Sequence, residues 1–154
     1  MSETRETLPD LAAMAAYGAR IATALRPGDV VALEGGLGSG KTTLARAILA
    51  ALGHRGEVPS PTFTIIETYD APPLRVAVVH ADFYRLEDLA ELAEIGLDDY
   101  REGAVLLAEW PDHAGGFAHE PGCLAITLLP AGESGKGGRI AIARGGADWV
   151  GRMP

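Results

Sequence analysis

Gly35-Gly36-Leu37-Gly38-Ser39-Gly40-Lys41-Thr42 satisfies the phosphate-loop pattern G-x-x-x-x-G-K-S/T at every fixed position. The chemistry explains the spacing. A polyphosphate needs several backbone N–H groups turned inward, and glycines let the chain curl that closely. Lys41 is placed to reach the β- and γ-phosphates, and the Thr42 hydroxyl to hold Mg²⁺. With 20 Gly, two Lys and 13 Ser or Thr in 154 residues, random placement gives about 0.003 matches in the chain. A glycine-rich turn that mimics the loop is therefore the weaker reading.

A second carboxylate is needed to hold Mg²⁺ or to orient an attacking water, usually at the end of a neighbouring apolar strand. Two positions compete. Asp82 follows Val76-Ala77-Val78-Val79-His80-Ala81, and Glu109 follows Ala104-Val105-Leu106-Leu107-Ala108. Either could equally be a strand-end carboxylate capping a loop. Ser60-Pro61-Thr62 lies about twenty residues after Lys41, where switch segments place a hydroxyl that senses the γ-phosphate; a Ser-Pro turn is the plainer alternative. Trp110 lies either against a nucleotide base, against the carboxylate, or in the core. His80, inside an apolar strand, reads as a core histidine. Tyr84 and Arg85 fit surface contacts or phosphate neutralisation.

The elements that must position these residues are legible in outline. Pro9 to Leu25 has helical periodicity, with Asp10 near its start. Val30 to Leu33 is a short buried strand leading into the loop. Thr43 to Leu52 is a helix closed by Gly53. Phe63 to Tyr69 is β-rich, Ala71-Pro72-Pro73 is a turn, and Leu74 to His80 is an apolar strand. Leu86 to Ile95 reads as a helix whose Glu87, Asp88, Glu91 and Glu94 form a solvated face. Ala104 to Ala108 is a strand stopped by Pro111. Cys123 to Leu129 and Arg139 to Ala143 alternate as strands around a glycine-rich connection. No repeat or linker divides the chain, so a single domain over 1–154 is expected.

Composition narrows the function. A net charge of −8 argues against a protein that grips nucleic acid by itself, although Arg55, Arg85, Arg101 and Arg139 could form a local basic face. No apolar run approaches the ~20 residues of a membrane span, and the polar stretch from Met1 to Asp10 lacks a secretory layout. A cytoplasmic location is expected. The single Cys123 excludes an internal disulfide and reads as a strand-edge residue. No Asn/Thr-Lys-x-Asp guanine motif is present, which favours adenine.

These segments together resemble the bacterial TsaE (YjeE) family, small P-loop ATPases of tRNA threonylcarbamoyladenosine synthesis. The resemblance rests on Gly35 to Thr43, Ser60-Pro61-Thr62-Phe63-Thr64, His80-Ala81-Asp82-Phe83-Tyr84-Arg85-Leu86 and Glu109-Trp110-Pro111, in the family's order. It covers roughly residues 8–145. It implies an α/β, P-loop NTPase-like three-layer fold with a central mixed, mostly parallel sheet. It also implies ATP and Mg²⁺ as ligands, and hydrolysis in complex with TsaB and TsaD, tRNA being met indirectly. By resemblance Gly36, Leu37, Gly38, Ser39, Gly40, Lys41, Thr42 and Thr43 bind nucleotide, with Thr62 as the switch-like threonine and Trp110 beside them. Lys41, Asp82 and Glu109 are the catalytic set, and Thr42 and Glu109 hold the metal. Gly36 stands where the family usually carries Asp or Glu, and Met14 replaces a common Thr. Two rival readings stay open: a small-molecule kinase, disfavoured because the segment after Arg85 is acidic where a lid wants arginines, and a non-hydrolysing, nucleotide-gated adaptor.

Overall fold

The computed structural model of the chain describes residues 2–59, 65–132 and 137–154. One sheet organises them, with strands in the order β1-β7-β6-β2-β5-β4-β3. The central strands β6 (Cys123–Pro130), β2 (Val30–Glu34), β5 (Val105–Glu109) and β4 (Val78–Asp82) run parallel. At the flanks, β3 (Ile66–Tyr69) pairs antiparallel with β4, β7 (Arg139–Gly145) with β6, and β1 (Ser2–Leu8) with β7. The sheet is thus α/β and mixed, parallel in its centre as expected.

Strand alternation divides the core. In β2, Val31 and Leu33 face the layer formed by α1 (Leu11–Ala24) and α2 (Lys41–Leu52), whereas Val30 and Ala32 face the other side. Continuous apolar runs in β2 and β5 follow from burial on both faces. Leu44, Ile48 and Leu49 lie fully buried on the underside of α2, each worth about 1.5–3 kcal/mol relative to exposure. The two helices meet where α1 carries Gly18: a Cβ there would stand 2.7 Å from the Ala47 Cβ. The opposite layer is thinner. It is built on Phe83, Leu86, Leu97 and Phe117, with short helices α3 (Ala90–Ile95) and α4 (Leu97–Arg101).

Several boundaries differ from the sequence reading. The polar N-terminus forms β1, paired with β7 from Ser2↔Gly145 to Leu8↔Arg139. Its charges are edge-strand charges: Glu3 accepts from Arg144 at 2.8 Å and Glu6 from Arg20 at 2.6 Å, so apolar periodicity is absent. The strand expected from Leu74 begins only at Val78; Leu74 and Val76 are instead buried on the α1–α2 side of the sheet. The helix expected over Leu86 to Ile95 is shorter and is followed by α4, because Gly96 adopts φ 77° and breaks it. Phe63 and Thr64 lie outside the described residues. Cys123 is not at an edge, since β6 is paired on both sides. Burial pushes its thiol up to about 12. Among the described residues, no helix is long and apolar enough to cross a membrane.

Candidate functional site

β2 ends at Glu34 and α2 begins at Lys41, so residues 35–40 must reverse from strand to helix over the end of the parallel sheet. Glycine makes that course possible. Gly35 has φ 143°, and a Cβ there would stand 2.5 Å from Ser39 Oγ and 2.7 Å from the Leu128 carbonyl. Gly40 caps α2 at φ 105°. The first bond inside α2 runs from Leu44 N–H to Gly40 O at 2.9 Å. The amides of Lys41, Thr42 and Thr43 therefore head the helix unpaired by it, at its positive end.

Lys41 closes the loop on itself. Its Nζ donates to Gly35 O at 2.7 Å and Gly36 O at 2.8 Å, with Ser39 Oγ at 3.4 Å. The same ammonium lies 4.3 Å from the centroid of the Trp110 ring. Burial lowers the Lys41 pKa, and the nearby Glu109 and Asp82 carboxylates oppose that shift. From the start of β7, two strands across the sheet from β2, Arg139 straps the loop. Its Nε donates to Ser39 O at 2.8 Å and an Nη to Gly38 O at 3.0 Å.

Both competing carboxylates arrive together. Asp82 and Glu109 are register partners on adjacent parallel strands, at the sheet edge where open α/β folds bind ligands. Glu109 is 2% exposed, and both its oxygens are engaged. Thr42 Oγ1 donates to Oε1 at 2.8 Å, and His80 Nε2 lies 2.6 Å from Oε2. Asp82 Oδ1 accepts from the Tyr84 amide at 2.9 Å. Trp110 adopts φ 55°, a left-handed conformation that costs an aromatic residue about 1–3 kcal/mol. It packs beside Tyr84 (centroids 4.9 Å apart) and His113 (5.5 Å). A cleft of about 390 Å³ results, lined by 37–43, Asp82, Tyr84, Arg85, Glu109, Trp110 and Arg139.

Of the residues singled out by sequence, Leu37, Gly38, Ser39, Gly40, Lys41, Thr42, Thr43, Asp82, Glu109 and Trp110 converge on this cleft. Gly36 contributes its carbonyl to Lys41. Thr62 lies outside the described residues. The Trp110 ring sits over the lysine, at the phosphate end of the loop. The basic face imagined for Arg55, Arg85, Arg101 and Arg139 does not form. Arg85 and Arg139 line the cleft, Arg101 pairs with Glu120 at 2.5 Å, and Arg55 borders a different cleft beside Tyr69. Two contributors escaped the sequence reading. His80 is buried, but its contact is with the site carboxylate. Its signal was the two-residue step to Asp82, which puts both on one strand face. Arg139 carried no local signal.

Comparison with known proteins gives the chain its family and an overall structural relative. The family described as "Threonylcarbamoyl adenosine biosynthesis protein TsaE" matches residues 8–137. A Haemophilus influenzae protein named "tRNA threonylcarbamoyladenosine biosynthesis protein TsaE" is 36% identical over 126 residues, 78% of each chain. A Bacillus subtilis protein of the same name is 48% identical over 86 residues, 55% of this chain and 52% of its own. The crystal structure of Bacillus subtilis YdiB superposes with a TM-score of 0.78 at 27% identity, covering 98% of this chain and 91% of that one.

Proposed function

Because the chain belongs to the TsaE family, we propose that it is the ATP-binding and ATP-hydrolysing subunit of tRNA threonylcarbamoyladenosine synthesis. In this reading it works as a single cytoplasmic ATPase domain with TsaB and TsaD, and meets tRNA through them, as its net charge of −8 favours. The observation that carries the reading is the convergence of Lys41, Thr42, Asp82 and Glu109 at the head of α2.

The donors fit the ligands. Lys41 and the leading amides of α2 meet the β- and γ-phosphates. The Thr42 hydroxyl and the Glu109 carboxylate are hard oxygen donors of the kind that Mg²⁺ takes together with phosphate oxygens. Bound there, Mg²⁺ supplies charge neutralisation at the phosphates. Water attacks the γ-phosphorus in line, the bond to the bridging oxygen breaks, ADP leaves, and the water's proton passes to the phosphate product or to solvent, with Lys41 compensating the charge on the phosphoryl oxygens. Weak turnover by the isolated chain and activation by the partners are expected.

Lys41→Ala should abolish hydrolysis in the complex reconstituted with TsaB, TsaD and tRNA. Unchanged turnover would remove the reading. Glu109→Ala should lose Mg²⁺-dependent turnover, and normal Mg²⁺ dependence would transfer its role to Asp82.

A further inference from the structure

Glu109 does not hold its orientation alone. Thr42 Oγ1 lies 2.8 Å from Oε1, and His80 Nε2 lies 2.6 Å from Oε2. An ionised carboxylate accepts only, so both partners must donate. The Thr42 hydroxyl proton is thereby directed at Glu109, and its oxygen lone pairs are left facing the cleft. For His80 the same requirement fixes the ring proton on Nε2.

The surroundings of His80 reinforce this. The residue is 0% exposed, and its Nδ1 has no hydrogen-bond partner among the described residues. A purely structural histidine would be expected to satisfy both nitrogens. Here a buried imidazole leaves one nitrogen unpaired while the other takes a short bond to the site carboxylate. β4 supplies the means: His80 and Asp82 project from the same face, and Asp82 is the register partner of Glu109.

We propose that His80 is a positioning residue of the nucleotide cleft, acting through Glu109 to aim the Thr42 hydroxyl oxygen at the Mg²⁺–nucleotide. The chain of influence runs from the His80 Nε2–H to the Glu109 carboxylate and on to the Thr42 hydroxyl. His80 itself touches neither nucleotide nor metal. This rests on the ATP-binding reading above, but its first test needs no ligand.

In the ¹⁵N-labelled, ligand-free chain, with four histidines in all, the His80 ring should show its proton on Nε2 and exchange it slowly. A ring protonated on Nδ1 alone would overturn the proposal. The second test compares the affinity of a fluorescent ADP analogue with Mg²⁺ and with EDTA, in variants whose folding is checked by thermal melts. His80→Leu should reduce the Mg²⁺ enhancement by about 10–100-fold while the EDTA affinity stays near wild type. His80→Gln, whose amide nitrogen is as many bonds from Cβ as Nε2, should restore most of the enhancement. If His80→Leu fails to fold, His80→Asn replaces it, since its shorter amide falls short of Oε2. A folded Leu or Asn variant with full Mg²⁺ enhancement would overturn the proposal. A wild-type chain that binds no ADP would instead contradict the ATP-binding reading, leaving the histidine tautomer to decide the rest.

Discussion

Two adjacent glycines should respond in opposite directions to the same added methyl group. At Gly35 the backbone has φ 143°, and a Cβ would lie 2.5 Å from Ser39 Oγ, 2.9 Å from Ser39 Cβ and 2.7 Å from the Leu128 carbonyl. The carbonyl belongs to β6, which is paired on both sides and has little freedom to withdraw. The backbone conformation alone costs about 1–3 kcal/mol, and relieving the contacts adds an overpacking cost of similar size. Gly35→Ala should therefore lose at least about 2 kcal/mol, or about 4–8 °C in Tm for a chain this long. Gly36 has no heavy atom within 4 Å of its would-be Cβ, and its φ is not in the left-handed region. Gly36→Ala should gain about 0.4–1 kcal/mol by restricting the unfolded chain, a rise of about 1–4 °C. Circular-dichroism melts of the two variants and wild type read both effects. Nucleotide affinity should follow, because the Gly35 carbonyl anchors Lys41 at 2.7 Å. The reasoning is refuted if Gly35→Ala melts at or above wild type, or if Gly36→Ala melts several degrees below it.

Further consequences concern the rest of the molecule. Burial lifts the Cys123 thiol from about 9 to about 12, so at pH 8 the native chain carries about a thousandfold less thiolate than a free cysteine; a disulfide reagent should titrate one thiol only after unfolding. Tyr17 is likewise raised from 10.0 to about 12, chiefly by burial. Both groups hold protons in the folded state that the unfolded chain has lost, so stability should be full below pH ~9 and fall as pH rises towards 12, which urea melts at pH 8 and 10.5 would show. Asp29→Ala removes the acceptor that Arg152 meets at 2.9 and 3.1 Å and the Arg26 amide at 2.8 Å. That leaves a largely buried guanidinium without its counter-charge, held by the Ala24 and Asp148 carbonyls and the Trp149 ring, and should cost about 3 kcal/mol in the urea transition.

What was legible in the sequence was local. The phosphate loop, its strand and its helix declare themselves because motif, burial and periodicity fall within residues 30–53. Strand ends at Asp82 and Glu109 were legible because an apolar run stops at a carboxylate. Their adjacency was not, because β5 pairs between β2 and β4 although it follows both in the chain. β1 was invisible because an edge strand needs no apolar stripe, and its glutamates are matched by arginines from α1 and β7. Arg139 reaches Ser39 across 100 positions of sequence, a separation no local pattern encodes. His80 looked like core because it sits in an apolar strand and is fully buried; its contact with Glu109 is made across strands, 29 positions away in the chain.

The most direct measurement is ATP hydrolysis by the purified chain, first alone and then with TsaB, TsaD and tRNA. Slow turnover alone with strong stimulation by the partners, abolished by Lys41→Ala, is the predicted result. Nucleotide binding with no turnover under either condition would contradict the proposed ATPase and leave a nucleotide-gated adaptor in its place.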